Sequence, residues 1–234
     1  MGEETMSKWV DRALEFTQSL ARYGPKGVVS ASVSEPLTRS QLQELQATLP
    51  CPIPDPIADF LLNESASCNC RYNLTFHRPP KQSVVELLGT DMAGMISAKN
   101  VYGGASLCQS EHFAEWNSES VRGSLDGIGD IDPRCSALWR GSFIFAALDS
   151  GDFLALDMRG EQSVPPVVYL DHEAEIHRPL APTLGCFLRE WETLGYIGPE
   201  HWVLEEFIDL ETGYLNSQVG DVEKLQARLR GEAV

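Results

Sequence analysis

Positive charge is scarce in this chain: 18 Lys plus Arg stand against 34 Asp plus Glu in 234 residues, a formal net charge of −16. Phosphate contacts need clustered Lys and Arg, so the composition argues against nucleic acid as a partner. It disfavours an anionic membrane surface for the same reason and fits a cationic partner. Long hydrophobic runs are also missing. No stretch of about 18 apolar residues exists, which excludes a membrane-spanning helix. The opening MGEETMSKWV is polar and acidic, with none of the apolar core of a secretory signal behind it, so the expected location is the cytoplasm. Cysteine is too sparse for a disulfide scaffold: Cys51, Cys68, Cys70, Cys108, Cys135 and Cys186 are spread over the whole chain, and free, inert thiols are expected.

Recognisable catalytic signatures are absent too. There is no G-x-S-x-G nucleophile elbow, no P-loop, no G-x-G-x-x-G after a strand and no C-x-x-C. His172-Glu-Ala-Glu-Ile-His177 invites comparison with zinc hydrolases, but those place two imidazoles at i and i+4 on one helical face. Here the spacing is five and the segment follows the β-like run VVYLD, so a solvated polar loop is expected. Asp126-Gly-Ile-Gly-Asp130-Ile-Asp132 loosely resembles a calcium loop. Its third position is Ile128, which cannot ligate, and a plain acidic turn is expected. No cofactor, no metal site and no catalytic residue is expected.

What is present reads as a folded chain. Hydrophobic residues make up 43% and charged residues 22%, ordinary values for a globular protein. At roughly 150 residues per domain the length favours one compact unit. Met6, Trp9, Val10, Ala13 and Leu14 recur at helical spacing, which predicts a helix over Ser7–Tyr23 ended by Gly24-Pro25. Ser30–Glu35 reads as a polar connector. Thr38 with Gln41 forms a capping box before a stripe of Leu42, Leu45 and Leu49, and Pro50, Pro52 and Pro54 stop that helix. Asp55 is expected to cap a third helix carrying Ile57, Phe60 and Leu61 inward.

The period then changes. Cys70, Tyr72, Leu74 and Phe76 alternate with polar residues, as in a half-buried strand. Val84–Leu88 is a short apolar run that fits a strand or a helix, with a strand preferred, and a helix is expected at Ser106–Val121. Strands are expected at Gly141–Leu148, Asp152–Asp157 and Pro166–Leu170, the first two joined by a tight turn at Ser150-Gly151. Helices are expected at Thr183–Leu194 and Asp221–Arg230. Grouped helices, then strands, then helices predict an α+β fold. Residues 1–30 read as an N-terminal helical extension and 31–234 as the α+β domain.

Acidic residues are unevenly placed. Glu190–Glu211 holds seven acids and no Lys or Arg, and Asp149–Glu175 holds seven acids against Arg159 alone. One-signed surfaces accelerate encounter with an oppositely charged partner. The strand ends bring Asp149, Asp152, Asp171, Glu173 and Glu175 to one sheet margin, and these are the candidate partner-binding residues.

The order of segments is itself informative. LTRSQLQELQATLPCPIPDPIADFLL (Leu37–Leu62), GDFLALD (Gly151–Asp157), VPPVVYLDHE (Val164–Glu173), TLGCFLREW (Thr183–Trp191) and ETGYLN (Glu211–Asn216) resemble, in this order, the SUKH superfamily, which includes the fungal Smi/Knr cell-wall regulators. The insertion from Pro79 to Cys135 is longer than in a minimal member. The resemblance implies helices packed on a curved, mostly antiparallel sheet and a non-enzymatic, protein-binding role. Bacterial members look like immunity proteins that neutralise toxins, often nucleases or deaminases; fungal members act as regulatory scaffolds. The expected partner is therefore a basic toxin domain, with a regulatory scaffold as the alternative.

Overall fold

Alternation along Cys70-Arg-Tyr72-Asn-Leu74 directs one face of a strand inward, and in the computed structural model Cys70, Tyr72 and Leu74 are buried while Asn73 is exposed. The structure describes residues 8–20, 28–75, 100–125, 132–160, 164–173 and 177–219. Among them seven strands form one sheet: β1 (Val28–Val33), β2 (Cys68–Thr75), β3 (Asn100–Leu107), β4 (Ser142–Ala147), β5 (Phe153–Asp157), β6 (Val167–Leu170) and β7 (His177–Ala181). They lie in sequence order, every neighbouring pair antiparallel, and the sheet is curled. The described helices are α1 (Trp9–Leu20), α2 (Arg39–Thr48), α3 (Asp55–Asn63), α4 (Phe113–Trp116), α5 (Glu119–Arg122), α6 (Pro133–Arg140), α7 (Leu184–Thr193) and α8 (His201–Leu204). One continuous apolar core joins them. The expected α+β class, with helices on a curved antiparallel sheet in a single domain, is what the chain adopts.

Two helices tie the ends of the curl together. α1 packs on β1 and β2, and α7 packs on β7. They meet through Trp9 and Trp191, whose rings stack 6.3 Å apart. The Trp9 indole donates to the Leu188 carbonyl at 3.1 Å, and Arg12 pairs with Glu192 at 2.6 Å. β6 is covered on both faces: all four of its residues are buried, as expected for a short apolar run.

Capping chemistry places α2 as its sequence demands. The Gln41 N–H donates to Thr38 Oγ1 at 3.3 Å, and the Gln41 side chain accepts from the Thr38 N–H at 2.9 Å. Leu42, Leu45 and Leu49 are only half-buried, because α2 packs on α3 at the margin. α3 starts one residue early: Pro54 flanks it without a side-chain cap, and Asp55 is its first residue. Ile57, Phe60 and Leu61 turn inward as expected.

Other elements depart from expectation for tertiary reasons. The polar stretch from Ser30 belongs to β1, where Ala31 pairs with Cys70. Its small residues read as a connector because, among the described residues, β1 is an edge strand with only β2 beside it. The expected helix over Ser106–Val121 is split. Ser106 and Leu107 end β3, pairing with Ala147 and Ala146, and Ser118 caps the separate turn α5 by accepting from the Val121 N–H at 3.4 Å. Of the polar loop expected at His172–His177, His172 and Glu173 form an exposed turn, 174–176 lie outside the described residues, and His177 opens β7, where it pairs with Leu170. The expected strand at Val84–Leu88 and helix at Asp221–Arg230 lie outside the described residues.

One side chain completes the sheet where β3 stops. Asn117, fully buried, donates to the Ile144 carbonyl at 3.0 Å and accepts from the Ile144 N–H at 2.8 Å. It also donates to the Phe113 carbonyl at 3.1 Å. Its amide thus stands in for a neighbouring strand, satisfying backbone groups that burial would otherwise leave unpaired.

Candidate partner-binding face and cleft

A cleft opens because the sheet splits. β3 pairs with β2 along its whole length but with β4 only at Ser106↔Ala147 and Leu107↔Ala146. The earlier residues of β3 diverge from β4, and the segment after α7 enters the gap. The Gly104 N–H donates to the Tyr196 carbonyl at 2.6 Å, Gly103 bridges Gly198, and the Tyr72 hydroxyl donates to the Gly195 carbonyl at 2.8 Å. Two adjacent glycines permit this approach. A Cβ on Gly103 would lie 2.4 Å from the Tyr196 carbonyl oxygen; one on Gly104, at φ +78°, would lie 1.7 Å from that of Cys70.

What remains open is a cavity of about 270 Å³ with Arg71, Tyr102, Asp149 and Glu200 among its walls. Arg71 Nη1 lies 2.7 Å from both oxygens of Asp149. Glu200 is only 8% exposed, and its Oε2 has no hydrogen-bond partner. Burial pushes this carboxyl above the ordinary glutamate value, Asp149 and Asp152 add to the rise, and Arg71 opposes it. Tyr102 is half-buried, and its hydroxyl accepts from the Trp202 indole at 3.4 Å.

The acidic margin adjoins this cleft. Asp149 sits at the turn between β4 and β5, where Gly151 adopts φ +95° and the Leu148 N–H donates to the Asp152 carbonyl at 2.9 Å. Of the five carboxylates expected to form a binding edge, Asp149 and Glu173 are exposed, at 79% and 71% of their side chains. Asp152 and Asp171 are buried, at 2% and 5%, and Glu175 lies outside the described residues.

The buried pair shapes the turns. Asp152 Oδ1 accepts from the His172 backbone N–H at 2.9 Å and lies 2.7 Å from His172 Nδ1; Oδ2 accepts from Ser150 at 2.7 Å and from the Tyr169 hydroxyl. Burial alone would raise the Asp152 carboxyl, but these hydrogen bonds together hold it below the ordinary aspartate value. Asp171 accepts from the Glu173 N–H at 2.9 Å. Asp152, Asp171 and His172 each bring one potential ligand atom within 4.8 Å of the others. Both oxygens of Asp152 are already engaged, so the cluster works as a clamp joining the β4–β5 turn to the end of β6.

The hydrogen bond to Asp152 raises the His172 pKa above its ordinary 6.5, against a smaller opposing effect of burial. A raised folded-state value means that the stabilisation is complete below about pH 6.5 and fades as pH climbs through the folded value. The ring is 47% exposed, so the effect is screened. Urea unfolding at pH 6 and pH 9 is expected to show the wild type losing roughly 0.2–1 kcal/mol more than His172→Gln across that interval. An identical loss in both proteins would show that Asp152 does not hold the histidine proton.

The cysteines behave as the sequence suggests: all six are free, with Cys68, Cys70, Cys108 and Cys135 buried. Arg71, Tyr102, the glycine pair and the special position of Glu200 escaped the sequence reading. A Gly-Gly pair inside a strand was the available signal, since it marks close backbone approach.

The chain is thus an α+β domain: a curled antiparallel meander with helices tying its ends, an acidic margin and a small polar cleft. The chain belongs to the SMI1 / KNR4 family (SUKH-1), whose family model matches residues 36–190, and is a protein-binding domain of that kind. No curated protein and no solved structure matches it. Among the described residues no helix is long and apolar enough to cross a membrane.

Proposed function

We propose that this chain is a non-enzymatic immunity protein, acting in the cytoplasm, that neutralises a cognate bacterial toxin of the nuclease or deaminase class. The observation that carries the reading is the acidic margin, with Glu173 and the Arg71-paired Asp149 exposed on turns that Asp152 and Asp171 hold in place, on a protein-binding domain of net charge −16. Nuclease clefts are basic because they bind phosphate, so an acidic surface can occupy them and long-range attraction speeds capture. The proposed partner-binding residues remain Asp149, Asp152, Asp171, Glu173 and Glu175, with the buried pair acting through the turn geometry. A regulatory scaffold is the alternative within the same family.

Co-purification with the product of the adjacent gene tests this reading. Capture of a toxin supports immunity, and capture of a signalling component instead supports the scaffold. With the toxin in hand, the double reversal Asp149→Lys plus Glu173→Lys is expected to slow association roughly tenfold at low salt and leave dissociation nearly unchanged. The difference should vanish toward 1 M salt, where the Debye length is about 3 Å. Reversal at Asp171 is a poor probe because that side chain is buried. An on-rate indifferent to both salt and the double reversal would reduce this margin to a solvated face.

A further inference from the structure

We propose that the cleft between β3 and β4 seats an arginine side chain of the protein partner, its guanidinium against Glu200. The inference rests on the protein-binding reading and specifies its chemistry. Arg71 and Asp149 neutralise one another at 2.7 Å, so Glu200 leaves the cleft with one uncompensated negative charge. That carboxylate is 8% exposed and its Oε2 is unpartnered, a costly state that a charge-assisted hydrogen bond relieves. Arg71 Nε is likewise buried and without an acceptor. An incoming residue brings its own peptide carbonyl, which a free amine or a metal ion does not.

Size and shape agree. A cavity of about 270 Å³ falls below the roughly 300–1,000 Å³ of pockets that hold drug-sized molecules, and so suits one side chain. The planar guanidinium can lie on the half-buried ring of Tyr102, a geometry that favours arginine over lysine. Asp149 lines both the cleft and the acidic margin, so the two are contiguous on this surface.

The test needs no identified partner. N-acetyl-arginine N-methylamide, titrated into the isotope-labelled full chain and followed by amide chemical shifts, is expected to shift Tyr102, Gly103, Gly104 and Glu200 saturably, in the millimolar range. Glu200→Gln should weaken that binding at least tenfold while melting no lower than the wild type, since it removes a buried unpartnered charge. The matching lysine compound should bind several-fold more weakly, and the norleucine and aspartate compounds should not compete. Equal binding by Glu200→Gln, preference for the aspartate compound, or no shift at these residues up to saturating arginine overturns the proposal. Those outcomes leave the immunity reading standing if the toxin is still captured. Arginine binding without toxin capture separates the two the other way.

Discussion

Replacing Trp9 with alanine is expected to cost about 3–5 kcal/mol of unfolding free energy, at the upper end of large-to-small substitutions. The indole is 2% exposed and touches three other aromatic rings, Phe60 at 6.1 Å, Trp191 at 6.3 Å and Tyr196 at 5.6 Å. Truncation would empty the place where α1 and α7 meet. Trp9→Phe keeps most of the apolar contact and loses the bond to the Leu188 carbonyl, worth about 1 kcal/mol. Equilibrium urea unfolding reads both values. The proposed division at residue 30 is tested at the same time. A loss below about 1 kcal/mol for the alanine variant would mark α1 as a detachable extension; a single cooperative transition lowered by several kcal/mol would make it part of the cooperative unit.

Asn117→Leu is the second substitution expected to do severe damage, although it keeps the branched shape of the side chain and adds apolar surface. The side chain pairs both the N–H and the carbonyl of Ile144 in a fully buried setting. Leucine would leave two backbone groups dry and unpaired, at about 1–3 kcal/mol each. The expected loss is about 2–6 kcal/mol, with hydrogen exchange at the Ile144 amide accelerated beyond what the global change explains. Asn117→Asp separates the two contributions, since it keeps the acceptor for the N–H and sets a carboxylate against the carbonyl. A leucine variant as stable as the wild type would mean that water or a shifted strand can take over the amide's role.

The candidate site divides along similar lines. Asp149 and Glu173 were legible because turns at strand ends are exposed wherever the strands are placed correctly, and β4, β5 and β6 fall close to where their apolar runs put them. Asp152 and Asp171 belong to the same acidic run but are buried, since Tyr169, Ser150 and His172 supply the hydrogen bonds that make burial tolerable. No feature of the run distinguishes the exposed acids from the clamped ones. Glu200 is a third case: one of seven acids between Glu190 and Glu211, it alone lines the cleft.

By itself the sequence determined the local pieces and the class. Apolar periodicity marked α1, α3, α7 and the strands β2, β4, β5 and β6, capping chemistry placed the start of α2, and the order of motifs pointed to the family. These are short-range properties, set by side-chain spacing and by hydrogen bonds a few residues apart. Only the tertiary structure decided that a polar stretch becomes β1, that Ser106 and Leu107 extend a strand instead of opening a helix, and that the sheet parts between β3 and β4. Those outcomes depend on partners far away in the chain. Ala31 finds Cys70, Gly104 finds Tyr196 and Ile144 finds Asn117, and an edge strand or a cleft wall takes its identity from the group it meets across that distance.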